Sequence, residues 1–225
     1  MPDYQWDFNA ILEYRDVLLT GVLTTFRLLA LSVSTGILLG LLLAPLRAAR
    51  SRWLRWPAQA VIELVRSVPP LVLLVWAYYC LPILTGLKLS AYWTSVLALG
   101  LYGSVFFAEI FRAGLQSVDP GQIEAALSVG MTPWKVLRRI AAPIAFLRIL
   151  PAFVGQCVMS VKNSVLGSYI AVGELLYEGQ RLSTATFRPL EVLTLVALFF
   201  VVTILPLSLL AGMIERRIQA RFFRR

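Results

Sequence analysis

Residues 119–143 read DPGQIEAALSVGMTPWKVLRRIAAP, a stretch of mixed polarity set between two strongly apolar ones. Two helix starts follow each other closely within it. Asp119 stands before Pro120, and Gln122 lies three residues after the Asp. This is the form of a capped start. The Asp carboxylate can accept from free backbone N–H groups, Pro120 fits the first turn, and Gln122 can bond back to the cap. Thr132 followed by Pro133 repeats the signal. Gly130, between the two, suits the end of the first helix, because glycine enters the left-handed region without a Cβ clash. The stretch therefore predicts helix, tight turn, helix: a rigid elbow of the kind that exists to be gripped by a partner.

The surroundings of the elbow place it between membrane segments. Of the 225 residues, 59% are hydrophobic and 15% charged, whereas soluble domains run at roughly 45–50% and about 25%. The composition predicts an all-α integral membrane protein. Four or five spans of about 20 residues, with their loops, use up the length. Residues 1–225 thus read as a single transmembrane domain, with 119–143 a loop inside it. The chain has no His, which removes imidazole metal ligands, His proton relays and Ser-His-Asp chemistry. Cys80 and Cys157 sit in apolar helical runs and read as small buried hydrophobes, so no metal site is expected. The net charge of +9 would suggest nucleic acid in a soluble protein. Here the basic residues flank apolar runs, and the positive-inside rule is the better account.

Residues 1–16 carry Asp3, Asp7, Glu13 and Asp16 against Arg15, with Trp6, Phe8 and Tyr14 among them, and are expected to form an interfacial helix on the outer surface. The apolar run after Arg15 is too long for a cleaved signal peptide, so the N-terminus is expected to be retained. Spans are expected over 17–45, 57–84, 92–115, 151–172 and 192–213. In the first, Gly36, Gly40 and Ala44 recur every four residues and admit another helix closely. In the second, Pro69 and Pro70 remove backbone donors and kink the helix. Arg148 is placed on an interfacial stretch leading to Pro151, and 173–191 as an outer loop. Thirteen of the 21 basic residues then fall in inner segments: Arg47, Arg50, Arg52 and Arg55; Lys135, Arg138, Arg139 and Arg148; and Arg216, Arg217, Arg221, Arg224 and Arg225. Five spans, with the N-terminus outside and the C-terminus inside, satisfy that bias.

No GxxxxGK[ST] phosphate loop is present, so the chain does not bind ATP by that route. Nor does it pair carboxylates with a nucleophile, and no catalytic residue is expected. Glu109 precedes Arg112 by three residues and Glu63 precedes Arg66 by three; both read as local ion pairs near the inner interface. Lys162 differs. It is roughly the twelfth residue of a span of about 21, which puts it near the bilayer midplane. A charge there costs on the order of 3 kcal/mol. Asn163 and Ser164 follow it, so the cluster can loosen the helix and face a cavity. A substrate-pathway role and a packing ion pair with a neighbouring helix both explain it. Arg27, about 14 Å in from the outer end of its span, reads equally as a pathway residue or as a snorkelling one.

The spacing within the elbow resembles a known pattern. Glu124-Ala125-Ala126, three residues, Gly130, nine residues, Ile140 and two residues to Pro143 has the form of the EAA loop of membrane subunits of bacterial ABC importers. Ala142 stands where that family usually has Leu. Gly121-Gln122, Arg66 to Leu71 (RSVPPL), Ala108 to Arg112 (AEIFR) and Lys162 to Leu166 (KNSVL) resemble the polar amino acid permease branch. Ser67, Val68 and Pro70 replace the Gly, Thr and first Leu of that branch's usual RGTPLL. Leu73 replaces a following Gln, and Val165 a Ser.

The resemblance implies a five-helix MetI-like fold, that of a type I ABC importer permease, in the bacterial cytoplasmic membrane. Gly121, Gln122, Glu124, Ala125, Ala126, Gly130 and Pro143 would form the coupling loop that docks on a separate ATPase subunit, where ATP and Mg would bind. The implied partners are a second membrane subunit, an extracytoplasmic solute-binding protein and a polar or charged amino acid. Lys162, Asn163, Ser164, Arg27 and Arg66 would be candidates for the pathway. An ATPase-independent secondary transporter or channel is the alternative, although five spans without an inverted repeat fit it poorly. A membrane assembly subunit with no pathway is another. The sequence does not specify the amino acid.

Overall fold

The structure of the chain, a computed structural model, describes the backbone of residues 4–49 and 51–222 and the side chains through Arg217. Asp3, Arg50, Arg224, Arg225 and the side chain of Arg221, which the charge reading counted, lie outside the described residues. Among the described residues every regular element is helical: α1 (Asn9–Leu12), α2 (Arg15–Ala48), α3 (Arg52–Ser67), α4 (Pro70–Tyr79), α5 (Leu81–Thr85), α6 (Ala91–Gln116), α7 (Pro120–Ser128), α8 (Pro133–Val136), a π-helical turn (Leu137–Ala141), α9 (Ala142–Ser164), a 3₁₀ turn (Val165–Ile170), α10 (Leu175–Thr186) and α11 (Pro189–Phe222). Four stretches are long and apolar enough to cross a membrane: Arg15–Ala48, Ala91–Gln116, Pro133–Ile170 and Pro189–Arg217. A fifth exists if α3 and α4 count as one broken span.

Four expectations change. The kink expected at Pro69 and Pro70 is a full break: Pro69 adopts an extended backbone (φ −57°, ψ 139°), and α4 restarts with Pro70 in its first turn. The fourth apolar stretch does not begin at Pro151, which lies inside α9; helix runs on from α8 through the π turn. That turn precedes Pro143, whose missing N–H would leave a gap in an ordinary α ladder, and Ala142 donates instead to Leu137, five residues back. The expected outer loop holds a helix, α10. The expected N-terminal interfacial helix shrinks to α1, and the segment before it is held by side chains.

The chain divides into two compact units. One comprises Met1–Ser34, Val68–Gly100 and Ser160–Pro206, the other Thr35–Ser67, Leu101–Met159 and Leu207–Arg225. In the first, Leu28, Leu74, Val96 and Ile170 form a buried core, and Ile11, Leu182 and Val192 a second. Glu191 is fully buried there and accepts from Tyr4 Oη, from the Asp7 N–H (3.1 Å) and from Arg188 (3.1 Å). Glu174 caps α10 by accepting from the Leu176 and Tyr177 N–H groups at 3.1 and 2.8 Å. In the second unit α2 and α6 meet where the small-residue stripe anticipates it. A Cβ on Gly40 would stand 2.8 Å from Phe107 Cβ and 3.0 Å from the Ser104 carbonyl oxygen. Long runs of exposed apolar side chains, among them Leu38, Leu42, Val202 and Leu205, suit a lipid surround.

Candidate functional site

Asp119 is the N-cap of α7, and its carboxylate accepts the Gly121 N–H at 2.8 Å. The return bond from Gln122 does not form among the described residues; the Gln122 N–H donates to the Asp119 carbonyl at 3.1 Å. The helix stops as a Schellman motif. Gly130 is left-handed (φ 81°), its N–H donates to Leu127, and the Met131 N–H donates to Ala126. Thr132 restarts the chain, accepting the Lys135 N–H at 3.4 Å. Ala126 is buried on the inner side of α7, while Glu124 and Ala125 are exposed. So are Val129 (79% exposed) and Trp134 (68%). Behind the elbow, Val118, Ala141 and Ala145 form a small core with Ile123 and Ile144. Arg148 donates to the Ser117 carbonyl, tying α9 to the entrance of the elbow. Pro143 is exposed in the first turn of α9.

The second unit also holds a cavity of ≈ 960 Å³ whose charged lining comes from Arg66, Glu109, Arg112, Arg148 and Glu215, with Ser117 and Gln156 as neutral polar neighbours. Glu109 and Arg112 pair at 2.6 Å, and Arg47 of α2 comes within 3.4 Å of the same carboxylate while donating to Gln59 at 3.0 Å. The anticipated Glu63–Arg66 pair does not form among the described residues. Arg66 instead lies over the Phe106 ring, 5.7 Å from its centroid, where the π face attracts the guanidinium.

Lys162 occupies the last turn of α9, where a cation suits the helix dipole, and is exposed. Asn163 is half-buried. Ser164 is buried and donates to the Val161 carbonyl at 2.8 Å, and the helix then tightens into the 3₁₀ turn. Arg27 is exposed on α2, next to Leu28, which lies 3.4 Å from where a Cβ on Gly167 of that turn would be. Neither Lys162 nor Arg27 has an ion pair among the described residues. Those four candidates belong to the first unit and Arg66 to the second. Arg47, Arg148, Gln156 and Glu215 were not singled out from sequence as site residues. A lone arginine within the apolar run AFLRILPAF was the available signal for Arg148. Cys80 and Cys157 are free thiols, each partly buried.

A family profile described as binding-protein-dependent transport system inner membrane component matches residues 36–220. The chain is 29% identical over 214 residues to the arginine transport system permease protein ArtQ of Bacillus subtilis (strain 168), covering 95% of this chain and 98% of that protein. It is 30% identical over 216 residues to the glutamine transport system permease protein GlnP of Escherichia coli (strain K12), covering 96% and 99%. Among solved structures, a crystal structure of an amino acid ABC transporter with histidines superposes with a TM-score of 0.86 at 33% identity, covering 95% of this chain and 100% of that one.

Proposed function

The chain belongs to the family of binding-protein-dependent transport system inner membrane components, and from that premise we infer that it is the permease subunit of an ATP-driven amino acid importer. It is a multi-pass inner-membrane protein with the all-helical MetI-like permease fold. Membership favours this reading over an ATPase-independent transporter or channel and over a pathway-free assembly subunit. The relatives' names, arginine and glutamine transport permeases among them, support a polar or charged L-amino acid as cargo.

The observation that carries the reading is the elbow at 119–143. It has a capped start, a left-handed stop at Gly130 and a second cap at Thr132. Along it Glu124, Val129 and Trp134 are exposed as surface. Such a surface suits docking on a separate ATPase subunit that binds ATP and Mg, this chain contributing no catalytic group. Gly121, Gln122, Glu124 and Ala125 would face the ATPase, Ala126 would hold α7 to the permease, and Gly130 and Pro143 would set the chain direction. With the N-terminus outside and the C-terminus inside, five spans counting α3–α4 as one, the elbow is cytoplasmic. Closure of two ATP-bound subunits would draw two elbows together, one from this chain and one from a second permease subunit of the same or a related sequence. An extracytoplasmic binding protein would deliver the cargo. Lys162, with Asn163 and Ser164, offers a cation to the carboxylate that every amino acid carries; Arg27 in the same unit, and Arg66 separately in the other, are further pathway candidates.

Co-purification with the cognate nucleotide-binding subunit tests the reading. Glu124→Ala and Gly130→Ala should each weaken the complex about tenfold, the second because a Cβ in the left-handed region costs about 1–2 kcal/mol. A complex indifferent to both substitutions, or uptake that proceeds without ATP, would overturn it.

A further inference from the structure

Helix α3 carries a surface that the transport reading does not use. Its buried stripe is Ala58, Ile62 and Val65. Away from that stripe, Trp53 and Trp56 are 90% and 68% exposed. Arg52, Trp56 and Ala60 follow one another at intervals of four residues, and with Trp53 and Pro57 they line a groove of ≈ 590 Å³. A second groove, ≈ 280 Å³ and lined by apolar side chains alone, adjoins the first at Trp53 and Pro57 and is completed by Leu43, Leu46, Leu54 and Val61 among others. The first turn of α3 contains no acid. Neither Arg52 nor Arg55 has an ion pair among the described residues, whereas Arg47 nearby in sequence is committed to Glu109 and Gln59.

We propose that this face of α3 binds one anionic diacyl phospholipid, which straddles Trp53 with an acyl chain in each groove and its phosphate on Arg52. Two distinct grooves that meet at Trp53 and Pro57 match a two-chain amphiphile. An extended peptide, by contrast, would need a single continuous track. Indoles beside arginines are the side chains of the membrane–water boundary, with the apolar ring in the acyl region and the N–H among head groups. An unpaired guanidinium at the mouth of an apolar groove selects an anionic head group, and the cytoplasmic leaflet, where the charge bias puts this segment, is the anionic one. The proposal does not depend on which solute the protein carries.

The full chain, reconstituted alone and with its ATPase subunit, tests this by tryptophan fluorescence. The vesicles are of phosphatidylcholine with a minor fraction of either acyl-brominated phosphatidylglycerol or acyl-brominated phosphatidylcholine. The signal of interest is the emission lost in the W53F/W56F double variant, which removes the background of the other four tryptophans. That emission should be quenched more by the brominated anionic lipid. The preference should fall about fivefold in Arg52→Gln, as expected for one arginine at an anionic surface, and survive in Arg52→Lys. Equal quenching by the two lipids overturns the proposal, as does a preference that Arg52→Gln leaves intact. Loss of the preference in inorganic phosphate would mean that a free anion suffices, and the lipid assignment fails. Quenching that disappears when the ATPase subunit is present would hand the surface to a protein partner, and the proposal fails there too.

Discussion

Arg148 of α9 donates its guanidinium to the main-chain carbonyl of Ser117, the first residue after α6. The two legs of the elbow are thereby joined by a charged side chain bonded to backbone. Leaving a partly buried carbonyl unpaired costs about 1–3 kcal/mol, enough to loosen the elbow without unfolding it. Arg148→Met should lower substrate-stimulated ATP hydrolysis in proteoliposomes about tenfold, that cost converted at about 1.4 kcal/mol per decade, while the ATPase subunit still co-purifies. Arg148→Lys should recover part of it. Undiminished stimulation in Arg148→Met would reduce the tie to local packing.

Glu109 holds two arginines. Replacing it with Gln keeps the shape but leaves Arg47 and Arg112 without the carboxylate that both approach. Both arginine side chains are still between a fifth and a third exposed, at 21% and 26%. Solvent screening therefore cuts the penalty below that of a dry pair, to about 1–2 kcal/mol. Glu109→Gln should lower the thermal unfolding midpoint in detergent by a few degrees, and adding Arg47→Met should restore much of it. A single variant as stable as the parent would show that the cluster contributes no stability.

Lys162 is exposed and unpaired among the described residues at the end of α9. Lys162→Met should cut uptake of the transported amino acid at least about tenfold, the value of one charge-assisted bond, with the permease and ATPase still assembled. Full uptake in that variant would remove Lys162 from the pathway.

Glu174 is buried, and burial pushes its carboxyl up to about 7 despite two backbone N–H donors that favour the charged form. A carboxyl whose folded value lies above its unfolded one stabilises the fold most at low pH. That contribution is complete below about 4.5 and is lost as pH rises through about 7. The unfolding midpoint in detergent should therefore fall across that window, by at most about 3 kcal/mol of stability, and be flat above it. Glu174→Gln should remove most of the slope. A wild-type profile that is flat or rises over the same window would refute the assignment.

The parts of this chain that were legible were those written in local chemistry. The caps at Asp119 and Thr132 and the stop at Gly130 depend on a few neighbouring residues, and each stands where the sequence puts it. The Gly40 approach was legible as a stripe, although its partner, Phe107 on α6, was not. What failed to show depended on competition between signals. Prolines at 69 and 70 announced a disturbance, but only the extended backbone at Pro69 turns a kink into two helices. Pro151 looked like a span start because Arg148, three residues before it, reads as interfacial, whereas the apolar run on either side carries the helix through. Helix α10 was hidden by polarity: LLYEGQRLSTAT reads as a loop until Leu175, Gly179, Leu182 and Ser183 are seen to fall on one buried face. Arg66 was paired with Glu63 by spacing alone, and a ring from α6 took its place.

The π turn at Leu137–Ala141 is equivalent to one surplus residue threaded into an α-helical line. Deleting any single residue from it would restore plain α phase, and everything on its N-terminal side would then rotate by about 100° about the helix axis. Trp134 and Val129 would swing off the side on which they now stand, with no other side chain altered and both caps intact. The direction in which the elbow faces is thus encoded as a reading-frame offset between two helical segments. A one-codon deletion here should abolish the proposed docking on an ATPase subunit more completely than most single substitutions among the elbow's exposed residues.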